Sequence, residues 1–263
     1  MQGAAARAAD SGQIESRIRI NWALAIGNTS TTDAGARGVS STTVAGEQAS
    51  EFDARVDRVA HALLALGIRK GERVATLLPN TLELLELYWA CARSGAVIVP
   101  LSPLLTGTGL ASLIQDAGAI CLVTQKSLLP VVEAVIGELP TLKPDRVWLI
   151  DAELPPWGSY GQRVAAAPLG PPPDAGIAPD DLFNIMYTSG TTGLPKGIMH
   201  SHRIRANYAL LLGPAWRMTP ESVVLHTGAI VFNGAFVTLM PAFHLGATYI
   251  LQRQFDAGSM LAT

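Results

Sequence analysis

The chain has 263 residues, of which 49% are hydrophobic and 15% are charged, and its formal net charge is −2. This composition can form the core of one large domain or of two smaller ones, and it contains no Lys/Arg run typical of a nucleic-acid-binding protein. Cys91 and Cys121 lie in apolar segments without metal-ligand spacing, which predicts buried thiols, a reducing compartment and a cytoplasmic location.

Residues 28–50 differ from the sequence on either side. They read NTSTTDAGARGVSSTTVAGEQAS, with almost no large apolar residue and no regular period, so the segment 1–50 is predicted to be poorly ordered. The apolar run INWALAIGN (20–28) precedes the patch, which suggests a local reading-frame shift across 28–50. Translation of the neighbouring frames tests this hypothesis. If neither frame yields alternating apolar strands, the patch is a genuine insertion.

From residue 51 onward, helical and strand patterns alternate. Apolar residues recur at steps of four and three from Phe52 to Leu66, which predicts a helix that ends at Gly67. Because the strands are apolar on both faces and alternate with helices, the sequence predicts an α/β fold with mostly parallel sheets flanked by helices. The strands predicted in this part are 73–79, 96–101, 119–124 and 146–150, and the helices between them are 81–95 (capped by Asn80), 109–118 and 128–139.

The second half begins with a Pro/Gly/Ala-rich stretch over 151–181, which predicts a linker or a long surface loop. Strands are predicted at 182–187 and 197–200, followed by a helix that Ser201 caps. Residues 222–252 contain no Asp, Glu, Lys or Arg, and such a stretch is long enough to span a bilayer. Its Asn, Pro, His and Gly residues favour a buried helix followed by a buried strand.

The segment between the strands at 182–187 and 197–200 is rich in Ser, Thr and Gly. Glycines let backbone N–H groups approach a ligand closely, and successive inward N–H groups form an anion-binding concavity. Composition alone allows either a polyphosphate cradle or an ordinary surface turn. The order is not that of a P-loop, because Gly197 stands where Ser or Thr is required. The side chains that can add hydroxyl donors or a mobile positive charge are Thr188, Ser189, Thr191, Thr192 and Lys196.

The ten residues 188–197, TSGTTGLPKG, resemble the phosphate-binding motif of the AMP-forming acyl-CoA synthetase, peptide-synthetase adenylation domain and firefly luciferase superfamily. The segments 53–80 and 92–103 resemble two further parts of that family, so the resemblance extends over 51–263. It implies a partial, incomplete N-terminal domain of an adenylate-forming enzyme. In this family ATP and a carboxylic acid form an acyl-adenylate and pyrophosphate, and a thiol, usually coenzyme A, then accepts the acyl group.

The resemblance also implies roles for individual residues and names ATP, Mg²⁺ and coenzyme A as ligands. Positioned N–H and hydroxyl donors together with Mg²⁺ would stabilise the charge of the departing pyrophosphate. Lys196 would be a flexible counter-charge, and the alternative is that it is a solvated loop lysine. The residues implied to hold the β- and γ-phosphates are Thr188, Ser189, Gly190, Thr191, Thr192 and Gly193.

A second site is implied at 228–234, GAIVFNG, which matches a segment that lines the acyl pocket in the family. Val231 stands where that segment usually has His, which would suit an apolar acid. The pocket residues implied are Val231, Phe232, Asn233 and Gly234. An equally supported interpretation is that Val231, Phe232 and Phe236 simply belong to the core. Three histidines are interpreted as packed or structural residues: His202, His226 and His244.

The family motifs for adenine, ribose and Mg²⁺ do not occur before Thr263, and the family's catalytic lysine is expected beyond it. We therefore assign no catalytic residue and expect the isolated chain to be inactive. The predicted function is that of the N-terminal portion of an ATP-dependent acid–thiol ligase whose partners are a small carboxylic acid, ATP and coenzyme A. The alternatives are a non-catalytic remnant and a phosphate-binding half that needs a separate chain. Fatty, aryl, sterol-type and amino acids all remain candidate substrates.

Overall fold

The computed structural model describes residues 16–19, 49–188, 195–253, 255 and 257. Its helices are α1 (Ala49–Ala65), α2 (Leu82–Ser94), α3 (Gly107–Ala117), α4 (Leu129–Glu133), α5 (Tyr160–Ala166), α6 (His202–Ala215) and α7 (Phe236–Leu245). Its strands are β1 (Ser16–Arg19), β2 (Arg73–Leu77), β3 (Val97–Leu101), β4 (Ala119–Thr124), β5 (Val147–Leu149), β6 (Gly158–Ser159), β7 (Leu182–Thr188), β8 (Lys196–Ser201), β9 (Val223–His226) and β10 (Thr248–Leu251).

Most of the strands form one seven-stranded sheet in the order β6-β5-β4-β2-β3-β7-β8. The first six strands of this order run parallel, and β8 pairs antiparallel with β7. A second sheet has the order β1-β10-β9, in which β10 and β9 are parallel. The predicted α/β fold with mostly parallel sheets is thus confirmed.

The core lies on both faces of the large sheet because alternate residues of each strand point to opposite sides. On β2, for example, Val74 packs in the cluster that contains α1 and α2, whereas Ala75 packs in the cluster that contains α3. Aromatic side chains connect α2 to α7: the Trp89 ring stacks on Phe243 at 5.2 Å between ring centroids. Trp89 also meets Phe183 of β7 edge-on at 6.0 Å, and Phe243 meets Tyr249 of β10 edge-on at 5.8 Å. These contacts join both sheets through one apolar cluster.

The helix ends agree with the sequence in most places. Gly95 follows α2 in the left-handed conformation, with φ of 76°, where glycine avoids the strain of a side chain. Ser201 caps α6 as predicted, since its hydroxyl accepts a hydrogen bond from the Ile204 amide. The prediction for α2 is wrong by one residue, because Thr81 is the cap and accepts from the Leu84 amide. Asn80 instead forms the long-range hydrogen bonds described below.

Two predicted segments differ from the observed elements. Only residues 129–133 of the helix predicted over 128–139 are α-helical, and 3₁₀ turns flank them. The stretch 151–181, predicted as a linker, contains β6 and α5. From α5, Tyr160 donates to buried Glu86 of α2 at 2.5 Å, and Arg55 of α1 donates to the same carboxylate at 2.5 Å. This buried network shows why α5 packs against the domain.

The uncharged stretch 222–252 forms α7 and β10 as predicted, and it also contains β9, which was not predicted. Among the helices of the described residues, none has the length and apolar character needed to cross a membrane. In the patch 28–50, the last two residues belong to α1. The rest of the patch lies outside the described residues, and its predicted disorder and the frame-shift hypothesis stay predictions.

Candidate functional site

The β7–β8 hairpin brings two of the predicted phosphate contacts together. Thr188 at the end of β7 and Lys196 at the start of β8 are cross-strand partners, and both side chains are exposed. They stand at the two ends of the Ser/Thr/Gly loop 189–194. The other predicted phosphate contacts lie outside the described residues: Ser189, Gly190, Thr191, Thr192 and Gly193.

Close packing of the hairpin next to the loop requires glycine at position 197, which pairs with Tyr187. A Cβ there would lie 3.0 Å from Ile185 Cγ2 and 3.3 Å from the Tyr187 ring, which is closer than ordinary side-chain contact. The hydroxyl of Tyr187 donates to the carboxylate of Asp116 on α3. Burial and this hydrogen bond raise the pKa of Tyr187, so the phenol stays protonated and keeps donating. These contacts fix the strand from which the loop departs.

Helix α6 starts directly after β8, near the hairpin. The His202 ring packs edge-on against Phe183 at 5.3 Å between centroids, and burial lowers the pKa of His202. This placement agrees with the structural role predicted for His202. His226 likewise packs in a stack against Tyr249 at 6.0 Å.

Two side chains, Asn80 and Tyr88, hydrogen-bond to the backbone of the predicted acid-pocket segment 228–234. Asn80 donates to the carbonyls of Gly228 at 2.7 Å and Gln252 at 2.8 Å, and it accepts from the Ile230 amide at 2.9 Å. Tyr88 donates its hydroxyl to the Ile230 carbonyl at 2.9 Å. The sequence did not identify either residue as part of the site. The position of Asn80 directly after a buried strand was the available signal.

The four predicted pocket residues divide into two groups. Val231 is buried with 3% of its surface exposed and packs in the core with Phe236, as the core interpretation predicted. Phe232 is 50% exposed, so the core interpretation is wrong for this residue. Gly234 is exposed, with open space where a side chain would begin. Asn233 is half-buried between them. Of these four residues, Phe232 and Gly234 are therefore the exposed ones, and Asn233 is partly exposed.

Arg205 of α6 also hydrogen-bonds to this segment. Its Nη1 donates to Asn233 Oδ1 at 2.8 Å, and its Nε donates to Asn184 Oδ1 at 2.9 Å. Burial lowers the pKa of Arg205 to about 10, so the guanidinium remains charged at neutral pH. Sequence analysis missed this residue. The signal was its spacing, since Arg205, Ala209 and Gly213 recur at steps of four and all are buried.

The arrangement can supply hydroxyl and ammonium donors to an anion at the hairpin. Lys196 and Thr188 fit a polyphosphate in chemistry and exposure. The described ranges contain no group of three or more His, Cys, Asp or Glu side chains that could hold a metal ion.

Comparison with known proteins is consistent with this geometry. The family model described as AMP-binding enzyme matches residues 47–263. The long-chain-fatty-acid–CoA ligase FadD13 of Mycobacterium tuberculosis is 30% identical over 220 residues, covering 79% of this chain and 40% of the ligase. A feruloyl-CoA synthase of an Amycolatopsis species is 32% identical over 217 residues, covering 81% and 40%.

Solved structures agree with these relatives. ATP-bound MatB from Rhodopseudomonas palustris superposes with a TM-score of 0.72 at 32% identity, covering 81% of this chain and 41% of MatB. The inhibitor-bound N-terminal domain of FACL13 from Mycobacterium tuberculosis also gives a TM-score of 0.72, at 29% identity, covering 81% of this chain and 52% of that domain. The chain spans about two-fifths of the length of the curated relatives that it matches.

Proposed function

This chain belongs to the AMP-binding enzyme family, and we propose that it contributes the phosphate-binding part of an ATP-dependent acid–thiol ligase. The ligase would activate a carboxylic acid as an acyl-adenylate and transfer the acyl group to coenzyme A. The observation that carries the proposal is the pairing of Thr188 with Lys196 across the hairpin that bears the loop 189–194.

In the proposed reaction, the carboxylate of the acid attacks the α-phosphorus of ATP. The bond from that phosphorus to the bridging oxygen breaks, and pyrophosphate leaves with its electron pair. The hydroxyl of Thr188 and the ammonium of Lys196 would donate to the β- and γ-phosphates, where negative charge increases as the bond breaks. Mg²⁺ bound to the phosphates would neutralise part of the same charge.

A phosphate-binding half that is completed by a separate polypeptide is the second candidate. In the described part of the chain, β8 is the outer strand of the large sheet, and its Ile198 and Met199 side chains are exposed. An exposed edge strand with apolar side chains is typical of a surface that pairs with another segment. Co-purification of a second polypeptide with the tagged chain would favour this candidate.

The first test is ATP binding by isothermal titration calorimetry with Mg²⁺ present. We expect Lys196→Ala to weaken binding by about tenfold or more, because a point charge on the phosphates is lost. Lys143→Ala, which changes an exposed lysine, is the matched control and should bind as the parent does. A chain that does not bind ATP, or that binds it equally after Lys196→Ala, contradicts the proposal.

ATP–pyrophosphate exchange with a panel of acids separates the two candidates. Exchange by the chain alone indicates a complete adenylating site. ATP binding without exchange indicates a half-site, and restored exchange after addition of a co-purified polypeptide would identify its missing part.

A further inference from the structure

The guanidinium of Arg205 is a buried positive charge with neutral neighbours. Only 1% of the residue's surface is exposed. Its hydrogen-bond acceptors are the amide oxygens of Asn184 and Asn233 and the sulfur of Met186. In the described ranges, no Asp or Glu forms an ion pair with it. Burying a charge without a counter-charge is costly, so this arrangement needs a physical explanation.

Aromatic rings compensate only part of that cost. The guanidinium carbon lies 3.9 Å from the centroid of the Phe236 ring and 5.3 Å from that of Tyr208. Such cation–π contacts stabilise the charge, but they leave guanidinium N–H groups without an acceptor. A guanidinium has five N–H donors, and three acceptors are in place around this one.

Within the part of the chain that the structure describes, a second buried donor beside Arg205 also lacks a partner. Asn184 has no exposed surface, and its Nδ2 makes no hydrogen bond. Its oxygen is occupied by Arg205, so the amide orientation is fixed and Nδ2 remains the free donor. His200 is the cross-strand partner of Asn184. Burial and the charge of Arg205 lower the pKa of His200 to about 4, so the ring is neutral at pH 7 and adds no competing charge.

This donor cluster adjoins the proposed acid pocket. Asn233 is half-buried between the exposed residues Phe232 and Gly234, and its side-chain oxygen accepts a hydrogen bond from Nη1 of the Arg205 guanidinium. Among the described residues, the Asn233 Nδ2 has a single long contact, of 3.4 Å, with the Tyr208 hydroxyl. Little therefore holds this amide other than Arg205, and an incoming carboxylate could replace it on the guanidinium.

We propose that Arg205 and Asn184 form a recognition site for a second carboxylate on the acid that this protein activates. This inference rests on the proposed function and names its substrate class: acids with an anionic group remote from the reacting carboxylate. A carboxylate accepts two parallel hydrogen bonds from a guanidinium and has further lone pairs for Asn184 Nδ2. In the unliganded chain, the neutral side-chain oxygen of Asn233 accepts the Nη1 hydrogen bond that this carboxylate would accept.

The experiment compares dicarboxylates with monocarboxylates of equal length on the full 263-residue chain. Succinate, glutarate and adipate are titrated against butyrate, pentanoate and hexanoate, with Mg²⁺ and α,β-methylene-ATP present to prevent release of pyrophosphate. Binding is followed by ligand-observed NMR and by calorimetry. We expect at least one dicarboxylate to bind about tenfold more tightly than its monocarboxylate counterpart.

Two variants test the assignment of the charge. Arg205→Met should abolish the preference for dicarboxylates, whereas Arg203→Met, which changes an exposed arginine on the same helix, should retain it. Asn233→Asp places a carboxylate next to Nη1, so it should occupy the site from within and also abolish the preference. Because it supplies the missing counter-charge, it should raise the melting temperature by about 3 °C.

The outcomes separate this inference from the proposed function. If the chain binds ATP but shows no dicarboxylate preference, or keeps that preference in Arg205→Met, the inference is wrong and the function stands. If Arg205→Met does not fold, Asn233→Asp decides: a retained preference or a lowered melting temperature overturns the inference. If the chain does not bind ATP, the proposed function fails on its own test.

Discussion

Replacement of Asn80 by alanine should destabilise the protein strongly, although it shortens the side chain by a single amide group. Asn80 makes three hydrogen bonds of 2.7 to 2.9 Å, to Gly228, Ile230 and Gln252. Its removal takes this partner from two carbonyls and one amide, of which the Gln252 carbonyl and the Ile230 amide are in buried hydrogen bonds and the Gly228 carbonyl is in a part-buried one. Because each unsatisfied buried group costs about 1–3 kcal/mol and some will find water, we expect a loss of about 3 kcal/mol.

The assay is equilibrium unfolding in urea, with the slope of the transition compared between variants to confirm the same change in exposed surface. Asn207→Ala is the matched control, because Asn207 is exposed on α6, and it should change the free energy of unfolding by less than about 0.5 kcal/mol. If Asn80→Ala is as stable as this control, the hydrogen bonds contribute little, and the explanation of how 228–234 is held would be refuted.

Three further changes test the packing, the hairpin and a buried histidine. Trp89→Ala should cost about 3–5 kcal/mol in urea unfolding because it empties the aromatic cluster between α2 and α7, whereas exposed Trp216→Ala should have little effect. Gly197→Ala should lower the free energy of unfolding by about 1–3 kcal/mol through overpacking. Gly109→Ala, where the added Cβ meets no atom, should be neutral or stabilising. Equal effects of the two variants would contradict the close contact of a Cβ at 197 with Ile185 and Tyr187. His200 has its pKa lowered from 6.5 to about 4 in the folded chain, so the unfolded state binds more protons between these values and the free energy of unfolding falls as pH drops from 6.5 toward 4. His200→Gln should make that pH dependence shallower between about pH 6.5 and 5, and an unchanged slope would contradict the assignment.

Much of the large sheet could be predicted from the sequence because its strands are short apolar runs between turn residues. Strand β9 was missed for the opposite reason: Val223 is exposed, and the other residues of VVLH are only half-buried. Its membership of a sheet depends on pairing with β10, which is a contact between distant parts of the chain. Periodicity over so short a strand cannot reveal such pairing.

The helix predicted over 128–139 shows where periodicity misleads. Its apolar residues Val132, Val135 and Leu139 are buried as a helix would bury them, yet the backbone achieves this with a short helix and 3₁₀ turns. Gly137 lies in the second of these turns, and glycine is a poor helix former. In α5 the error was the reverse, since Pro and Gly around a seven-residue helix made the whole stretch resemble a loop.

The candidate site was predictable where one short motif contains it and unpredictable where it is assembled from distant residues. The strands predicted at 182–187 and 197–200 correspond to β7 and β8, and their register places Thr188 opposite Lys196. Asn80 and Tyr88 hydrogen-bond to the segment 228–234 over separations of 142 to 150 residues in the sequence. Polar side chains in buried positions need partners, but the sequence does not name those partners before the fold is known.

The hydrogen bonds to 228–234 restrict where the proposed acid pocket can vary. Asn80 and Tyr88 fix the backbone at Gly228 and Ile230, and Arg205 fixes the side chain at 233. Val231, which lies between Ile230 and Asn233 in the sequence, is buried in the core. Phe232 and Gly234 are then the positions of this segment where a new side chain could alter the pocket at little cost in stability. A change at Asn233 would instead alter the hydrogen bonding of the charged Arg205. Shape and charge selectivity for the acid would therefore be set by neighbouring but separate residues.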